Sequence, residues 1–282
     1  MKTWLITGVS SGFGRALAQA VLARGDRVAG TVRNTPALSA FEALAPGLAH
    51  GVVMDVVDPS AVTAAVSAVT QALGPIDVLV NNAGYGLVSG IEEASLDEIR
   101  AQFEVNVFGA VTVMQAVLPA MRARRSGTIV NVTSVSGLVG WPGLGVYSGS
   151  KFALEGITET LAQEVAPFGI GVMMVEPGGF RTDFAGRSRV EASSPIADYD
   201  GTVLSDCKAI LHSHAGQERG DPALAAQAIL TALEAEHPPL RLLLGSDAVS
   251  YLKDKISAQL SEVDRWEAVS TATDFETVVA AE

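Results

Sequence analysis

Tyr147 and Lys151 stand four residues apart in Tyr147-Ser148-Gly149-Ser150-Lys151, so on a helix both side chains leave one face. An ammonium beside a phenol favours the phenolate, which is expected to lower the tyrosine from about 10 toward the range of a working general acid or base. A second run, Thr7-Gly8-Val9-Ser10-Ser11-Gly12-Phe13-Gly14, sits between an apolar stretch and the helically spaced Arg15–Arg24. Glycines at such a strand-to-helix turn let backbone N–H groups approach a pyrophosphate. The loop residues Gly8, Ser10, Ser11, Gly12, Phe13 and Gly14 are therefore candidate dinucleotide contacts, although the spacing is GxxxGxG rather than GxGxxG.

About twenty residues further on, an NAD site usually carries an acidic residue for the ribose 2′-hydroxyl. This chain has Val32-Arg33-Asn34 there, and a guanidinium suits the 2′-phosphate of NADP. Asp55, followed by Val56, is a candidate acceptor for an adenine amino group, and Asn81-Asn82-Ala83-Gly84 supplies small residues and amides to line a cofactor. Taken singly, the glycines also suit an ordinary tight turn, Arg33 a solvated loop and Asp55 a strand end.

These residues need a scaffold that brings them to one edge. Short β-branched runs recur at Thr3–Thr7, Arg27–Val32, Gly51–Asp55, Ile76–Asn81, Gly127–Ser134, Ile170–Val175 and Leu240–Leu244, separated by segments of helical spacing. Near-continuous apolar strands alternating with helices predict an α/β Rossmann fold: a doubly wound parallel sheet of about seven strands with helices on both faces. In such sheets ligands bind beyond the carboxyl ends of the strands, and Gly8, Arg33, Asp55, Asn82, Ser134 and Pro177 each follow one of the first six runs. One domain is expected over residues 1–266, with residues 178–220 as a substrate-binding excursion containing short helices and 267–282 as a peripheral tail. A mostly apolar pocket is expected from Tyr85, Leu87, Leu138, Val139, Trp141, Leu144, Phe180, Phe184 and Tyr199.

The 282 residues are 48% hydrophobic and 18% charged, which excludes disorder for the bulk of the chain. With 31 acidic against 19 basic residues the net charge is −12, which argues against nucleic acid and anionic membranes as partners. Cys207 is the single cysteine, a composition that suits a reducing cytoplasm. No apolar run approaches the ~18 residues of a membrane span. His212 and His214 sit in a loop without an acidic or thiol cluster, so no metal is expected.

The motifs together resemble the short, single-domain members of the short-chain dehydrogenase/reductase family. The resemblance rests on Gly8, Gly12 and Gly14, on Asn81–Gly84, on Asn106, Ser134, Tyr147 and Lys151, and on Pro177-Gly178 followed by Thr182, in the family's order across residues 1–182. It implies an oxidoreductase using NADP(H) or NAD(H), with Tyr147 as acid/base and Lys151 lowering its pKa and holding the nicotinamide ribose. It further implies Ser134 polarising the substrate oxygen, the Asn106 carbonyl holding a water, and Thr182 contacting the cofactor carboxamide. Further cofactor contacts fall on Asn82, Ala83, Gly84, Pro177 and Gly178 by the same resemblance. Many NADP-preferring relatives carry a basic residue where Ser11 stands, so preference for NADP(H) leans on Arg33. Phe103–Met121 resembles helices used for dimerisation in the family, and a homodimer or homotetramer is expected.

The resulting expectation is a carbonyl reductase or alcohol dehydrogenase acting on a hydrophobic small molecule. A regulator that binds NADP without turnover is the alternative; such proteins usually lose the tyrosine or lysine, and both are present here. An epimerase or dehydratase of the longer relatives needs a larger C-terminal region than follows Pro177.

Overall fold

A computed structural model describes residues 1–182, 188–213 and 215–275. The chain begins β1 (Thr3–Ile6), α1 (Gly12–Ala23), β2 (Arg27–Val32), α2 (Thr35–Glu42), β3 (Ala49–Val53) and α3 (Pro59–Leu73). Asn34 and Asp58 cap the starts of α2 and α3 by accepting backbone N–H bonds, with a proline in the first turn of each. Next come β4 (Val78–Asn81), the short β5 (Gly86–Val88), α4 (Leu96–Phe103), a π turn at Glu104–Gly109, and α5 (Ala110–Arg124). The second half holds β6 (Gly127–Val132), α6 (Gly145–Val165), β7 (Ile170–Pro177), β8 (Arg189–Glu191), α7 (Val203–Ser213), α8 (Pro222–Leu233), β9 (Arg241–Leu244) and α9 (Ser246–Thr271).

Seven of these strands form one parallel sheet in the order β3-β2-β1-β4-β6-β7-β9. Period-two alternation divides its side chains between two cores. In β1, Trp4 and Ile6 face a core with Leu17, Val21, Phe41 and Ile229, while Leu5 faces one with Val62, Val66, Val113 and Ile129. Helices therefore cover both faces, as the uninterrupted apolar strands require. The chain winds outward from β1 to β3 and then returns to β4 on the other side of β1, so the carboxyl ends of β1 and β4 flank the topological switch point.

Three features depart from the sequence expectations. A two-stranded parallel sheet joins β5 to β8, with Gly86 opposite Arg189 and Val88 opposite Glu191; three residues per strand leave too little alternation to read. The helix α9 continues past the expected start of the tail at Glu267, running as one helix to Thr271. The stretch Leu96–Arg124 is long and apolar enough by composition to cross a membrane. Its apolarity is that of a core helix, since Val113, Met114, Val117 and Met121 pack under the sheet.

Candidate active site

The glycine loop is held by the strand beside it. Asn82 Nδ2 donates to the carbonyls of Thr7 and Gly8, each at 2.9 Å, and Thr7 Oγ1 accepts from the Asn82 and Ala83 backbone N–H groups, also at 2.9 Å. Gly8 has φ +73°, and a Cβ on Gly14 would lie 2.4 Å from both Asn82 Nδ2 and the Gly8 carbonyl oxygen. Neither position accommodates a side chain without moving backbone. The turn delivers the chain to α1, whose start has no side-chain cap and no acidic residue in its first turn. Those uncommitted N–H groups and the helix dipole suit an anion, so the residues present fit a dinucleotide phosphate.

Other candidates lie around the same rim. Thr182 comes close to Gly12, 3.5 Å from where a Cβ would stand. Arg33 is exposed at the end of β2 and forms no ion pair with any described residue. Asp55 is exposed and accepts from the Val57 N–H at 3.2 Å, while Val56 is buried under Gly109. Pro177 ends β7, and Gly178 donates its N–H to the Leu244 carbonyl at 2.9 Å beside the Asp247 carboxylate.

The sheet's carboxyl edge also gathers Ser134, Tyr147, Lys151 and Asn106. Tyr147 and Lys151 sit one turn apart on α6, with Lys151 Nζ 5.9 Å from the Tyr147 ring centroid. Lys151 Nζ donates to the Val132 carbonyl at 2.9 Å, using one of its three N–H bonds. Ser134, two residues beyond β6, hydrogen-bonds the Tyr147 hydroxyl and accepts from the Ser136 N–H at 3.0 Å. Asn106 lies in the π turn, where the helical hydrogen-bond ladder is interrupted. Its amide donates to the Tyr85 carbonyl at 2.9 Å and to Ser150 Oγ at 3.1 Å, and its oxygen accepts from the Tyr85 N–H at 3.1 Å. Ser150 in turn donates to the Tyr147 carbonyl at 2.7 Å.

The electrostatics correct the expected lowering of the tyrosine. Burial pushes Tyr147 up to about 12, the Ser134 hydrogen bond opposing it only in part. Burial also pulls Lys151 down to about 8, against the opposing charge of Glu155. The chain thus holds a neutral phenol beside an ammonium that loses its proton just above neutrality.

Behind Lys151 lies a cluster with no signal in the spacing of the motifs. Arg241 on β9 donates to Glu155 on α6, to Glu176 on β7 at 2.9 Å and to Glu159 at 2.6 Å. Glu176 is fully buried and Glu155 nearly so. Burial and the Glu155 charge push Glu176 up to about 7, with Arg241 pulling the other way. Glu176 therefore holds a proton far more readily near neutral pH than an ordinary glutamate, and its Oε2, like Glu155 Oε1, has no other hydrogen-bond partner among the described residues.

A cleft of about 390 Å³ is lined by Ser89, Ile91, Trp141, Pro142, Tyr199 and Leu204 among others; Ser134, Tyr147 and Lys151 do not line it, and it adjoins them through Trp141, which packs on the Val88, Leu144 and Tyr147 cluster. Leu144 and Val88 pack directly on Tyr147. Of the expected pocket residues, Trp141 and Tyr199 line the cleft, whereas Phe180 is a core residue whose ring lies 5.0 Å from that of Phe13 at a tilt of 59°. Phe184 and His214 lie outside the described residues. His212 pairs with Glu191 at 2.7 Å and so ties α7 to β8.

The excursion is fastened over the cleft by groups the motifs do not reveal. Glu93 is buried and accepts from the Gly90 N–H at 2.7 Å, the Ile196 N–H at 3.2 Å and Lys208 Nζ. Burial raises its pKa, but these donors outweigh that and hold the carboxylate below its usual range. Tyr199 donates to Glu92 at 2.8 Å.

The sequence signature of the short chain dehydrogenases matches residues 2–192. The chain belongs to the short-chain dehydrogenase/reductase family. This short-chain dehydrogenase is 38% identical over 273 residues to an oxidoreductase, BOA17, from Botryotinia fuckeliana, covering 96% of this chain and 99% of that one. It is 38% identical over 244 residues to a 3-ketodihydrosphingosine reductase from Bacteroides thetaiotaomicron, covering 86% and 87%. A solved short-chain dehydrogenase from Streptomyces avermitilis superposes with a TM-score of 0.90 at 43% identity, over 97% of this chain and 100% of that one. A Burkholderia phymatum member solved in complex with NAD gives a TM-score of 0.79 at 26% identity over 92% and 95%. The chain is accordingly an oxidoreductase of a family whose solved members bind NAD or NADP.

Proposed function

We propose that this short-chain dehydrogenase reduces the carbonyl group of a hydrophobic small molecule to an alcohol, with NADP(H) preferred over NAD(H), in the cytoplasm. The observation that carries the reading is the buried, protonated Tyr147 hydrogen-bonded to Ser134 beside the Lys151 ammonium. A bound dinucleotide supplies hydride from its nicotinamide ring. Tyr147 then delivers its proton to the carbonyl oxygen, a developing alkoxide being a far stronger base than tyrosinate. Ser134 donates a hydrogen bond to that oxygen and fixes its position. Lys151 stabilises the negative charge left on Tyr147, and its two remaining N–H bonds are available to cofactor hydroxyls. Asn106 holds the Tyr85 backbone and, through Ser150, the turn of α6 that carries Tyr147.

The substrate class is supported by the cleft, where Ile91, Trp141, Pro142 and Leu204 offer apolar surface and Ser89 a buried hydroxyl with no partner among the described residues. A relative named for a ketone on a long-chain lipid base is consistent with that lining. Preference for NADP(H) is supported by the exposed Arg33, which pairs with no described residue, and by the absence of an acidic residue at Val32-Arg33-Asn34. A charge-assisted hydrogen bond is worth about 1.5 to 3 kcal/mol. Replacing Arg33 with alanine should therefore raise KM for NADPH by about 10- to 100-fold and leave KM for NADH nearly unchanged. Steady-state kinetics with both cofactors checks this, and equal losses would remove Arg33 from the 2′-phosphate site.

A further inference from the structure

The helix α9 spans 26 residues, or about 39 Å, and only its beginning is attached to the body. There Ala248 is fully buried, Tyr251 meets Trp141 edge-on at 4.7 Å, and Asp247 accepts from the Gly179 N–H at 2.7 Å. From Ile256 to Phe275 every residue is exposed. A helix that stands free over this length is marginal in water without a packed face.

The helix nonetheless carries such a face, which begins in its attached part and runs on into its free part. Val249, Leu252, Ile256, Val263 and Trp266 recur with alternating spacings of three and four, the seam of a coiled coil, with polar Gln259 filling one central position and Leu260 widening the seam. Ile256, Leu260, Val263 and Trp266 are 46%, 58%, 63% and 55% exposed.

The charges flanking the seam say what fits it. Lys253 and Lys255 border its first half, Glu262 and Glu267 its second. In a parallel pair, Glu262 of one helix would face Glu267 of the other, like against like. In an antiparallel pair, Lys255 faces Glu262 and Lys253 faces Glu267, and two-fold symmetry makes each contact twice. The polar Gln259 then lies near the axis and fixes the register. Acidic residues outnumber basic ones along α9, which disfavours an anionic lipid surface as the occupant.

We propose that α9 from Val249 to Glu267 is the docking surface for a second copy of this chain, the two helices packing antiparallel about an axis near Gln259. None of its residues lines the cleft, so the contact is separate from catalysis.

Sedimentation of the full chain against Leu260→Asp/Val263→Asp tests it, with far-UV circular dichroism and turnover per chain as controls for folding. The double variant should sediment with half the native mass and keep its turnover. The antiparallel register is tested by Lys255→Glu, which should weaken association at least tenfold, and by Lys255→Glu combined with Glu262→Lys, which should restore it. An unchanged mass in the seam variant overturns the proposal, as does failure of the charge swap to restore association. Binding of the native chain to phosphatidylcholine/phosphatidylglycerol vesicles that is lost in the seam variant, with no change in mass, would overturn it in favour of a membrane.

Discussion

Replacing Tyr147 with phenylalanine is expected to lower kcat/KM for carbonyl reduction by about 10²- to 10⁴-fold, the range of general acid–base contributions. The ring stays, so its packing on Val88 and Leu144 stays, and only the proton is withdrawn. Affinity for the dinucleotide should hold within a few-fold, because the glycine loop, Asn82 and the start of α1 are untouched; cofactor fluorescence titration separates the two effects. The same site sets the pH profile of the native protein. Tyr147, held at about 12, remains protonated across the neutral range. Lys151, lowered to about 8, loses its charge above that pH, so reduction should be level below pH 8 and decline above it. Undiminished turnover in the phenylalanine variant would remove Tyr147 as proton donor.

The second large effect concerns stability. Arg241→Ala leaves Glu155 and Glu176 buried without their cation, and breaking such a group from one side costs about 3 to 5 kcal/mol. Arg241 is itself one-third exposed, which places the expected loss near the low end, about 3 kcal/mol. The pH dependence has a definite sign. Glu176 titrates near 7 in the folded protein against 4.5 ordinarily, so the folded state holds more protons between those values and stability falls as pH rises through them. Removing the guanidinium raises Glu176 further, because Arg241 is the group that opposes its rise. The deficit should therefore be widest at pH 8 and narrow toward pH 5, as measured by urea unfolding. An equal deficit at both pH values would mean that packing of the arginine stem, not its charge, is what was lost.

Much of the scaffold is legible in the sequence because it is written in local signals. Trp4, Leu5 and Ile6 are all apolar because β1 is covered on both faces, and Asp58-Pro59 and Asp221-Pro222 announce α3 and α8 through cap and first-turn chemistry. The grouping of Gly8, Asn82, Ser134 and Tyr147 at one edge follows from their places after successive strands. What stays hidden depends on partners far apart in the chain. Glu155 stands four residues after Lys151 on the same helix, and Glu176 is an acid in an otherwise apolar strand; both are visible oddities. Their meaning requires Arg241, which lies 65 residues beyond Glu176. Glu93 and Lys208, 115 residues apart, are likewise unreadable as a pair. For the tyrosine, the four-residue spacing to lysine reports proximity and says nothing of burial, which turns out to dominate.

Hydride transfer is the claim on which the rest depends. The protein should be incubated with NADPH deuterated at the transferring position of C4 and a panel of hydrophobic ketones and aldehydes, and the alcohols analysed by mass spectrometry. One deuterium on the carbinol carbon, formed by the native chain and suppressed in Tyr147→Phe, is the predicted result; alcohol that carries no deuterium, or no alcohol from any member of the panel, would contradict it.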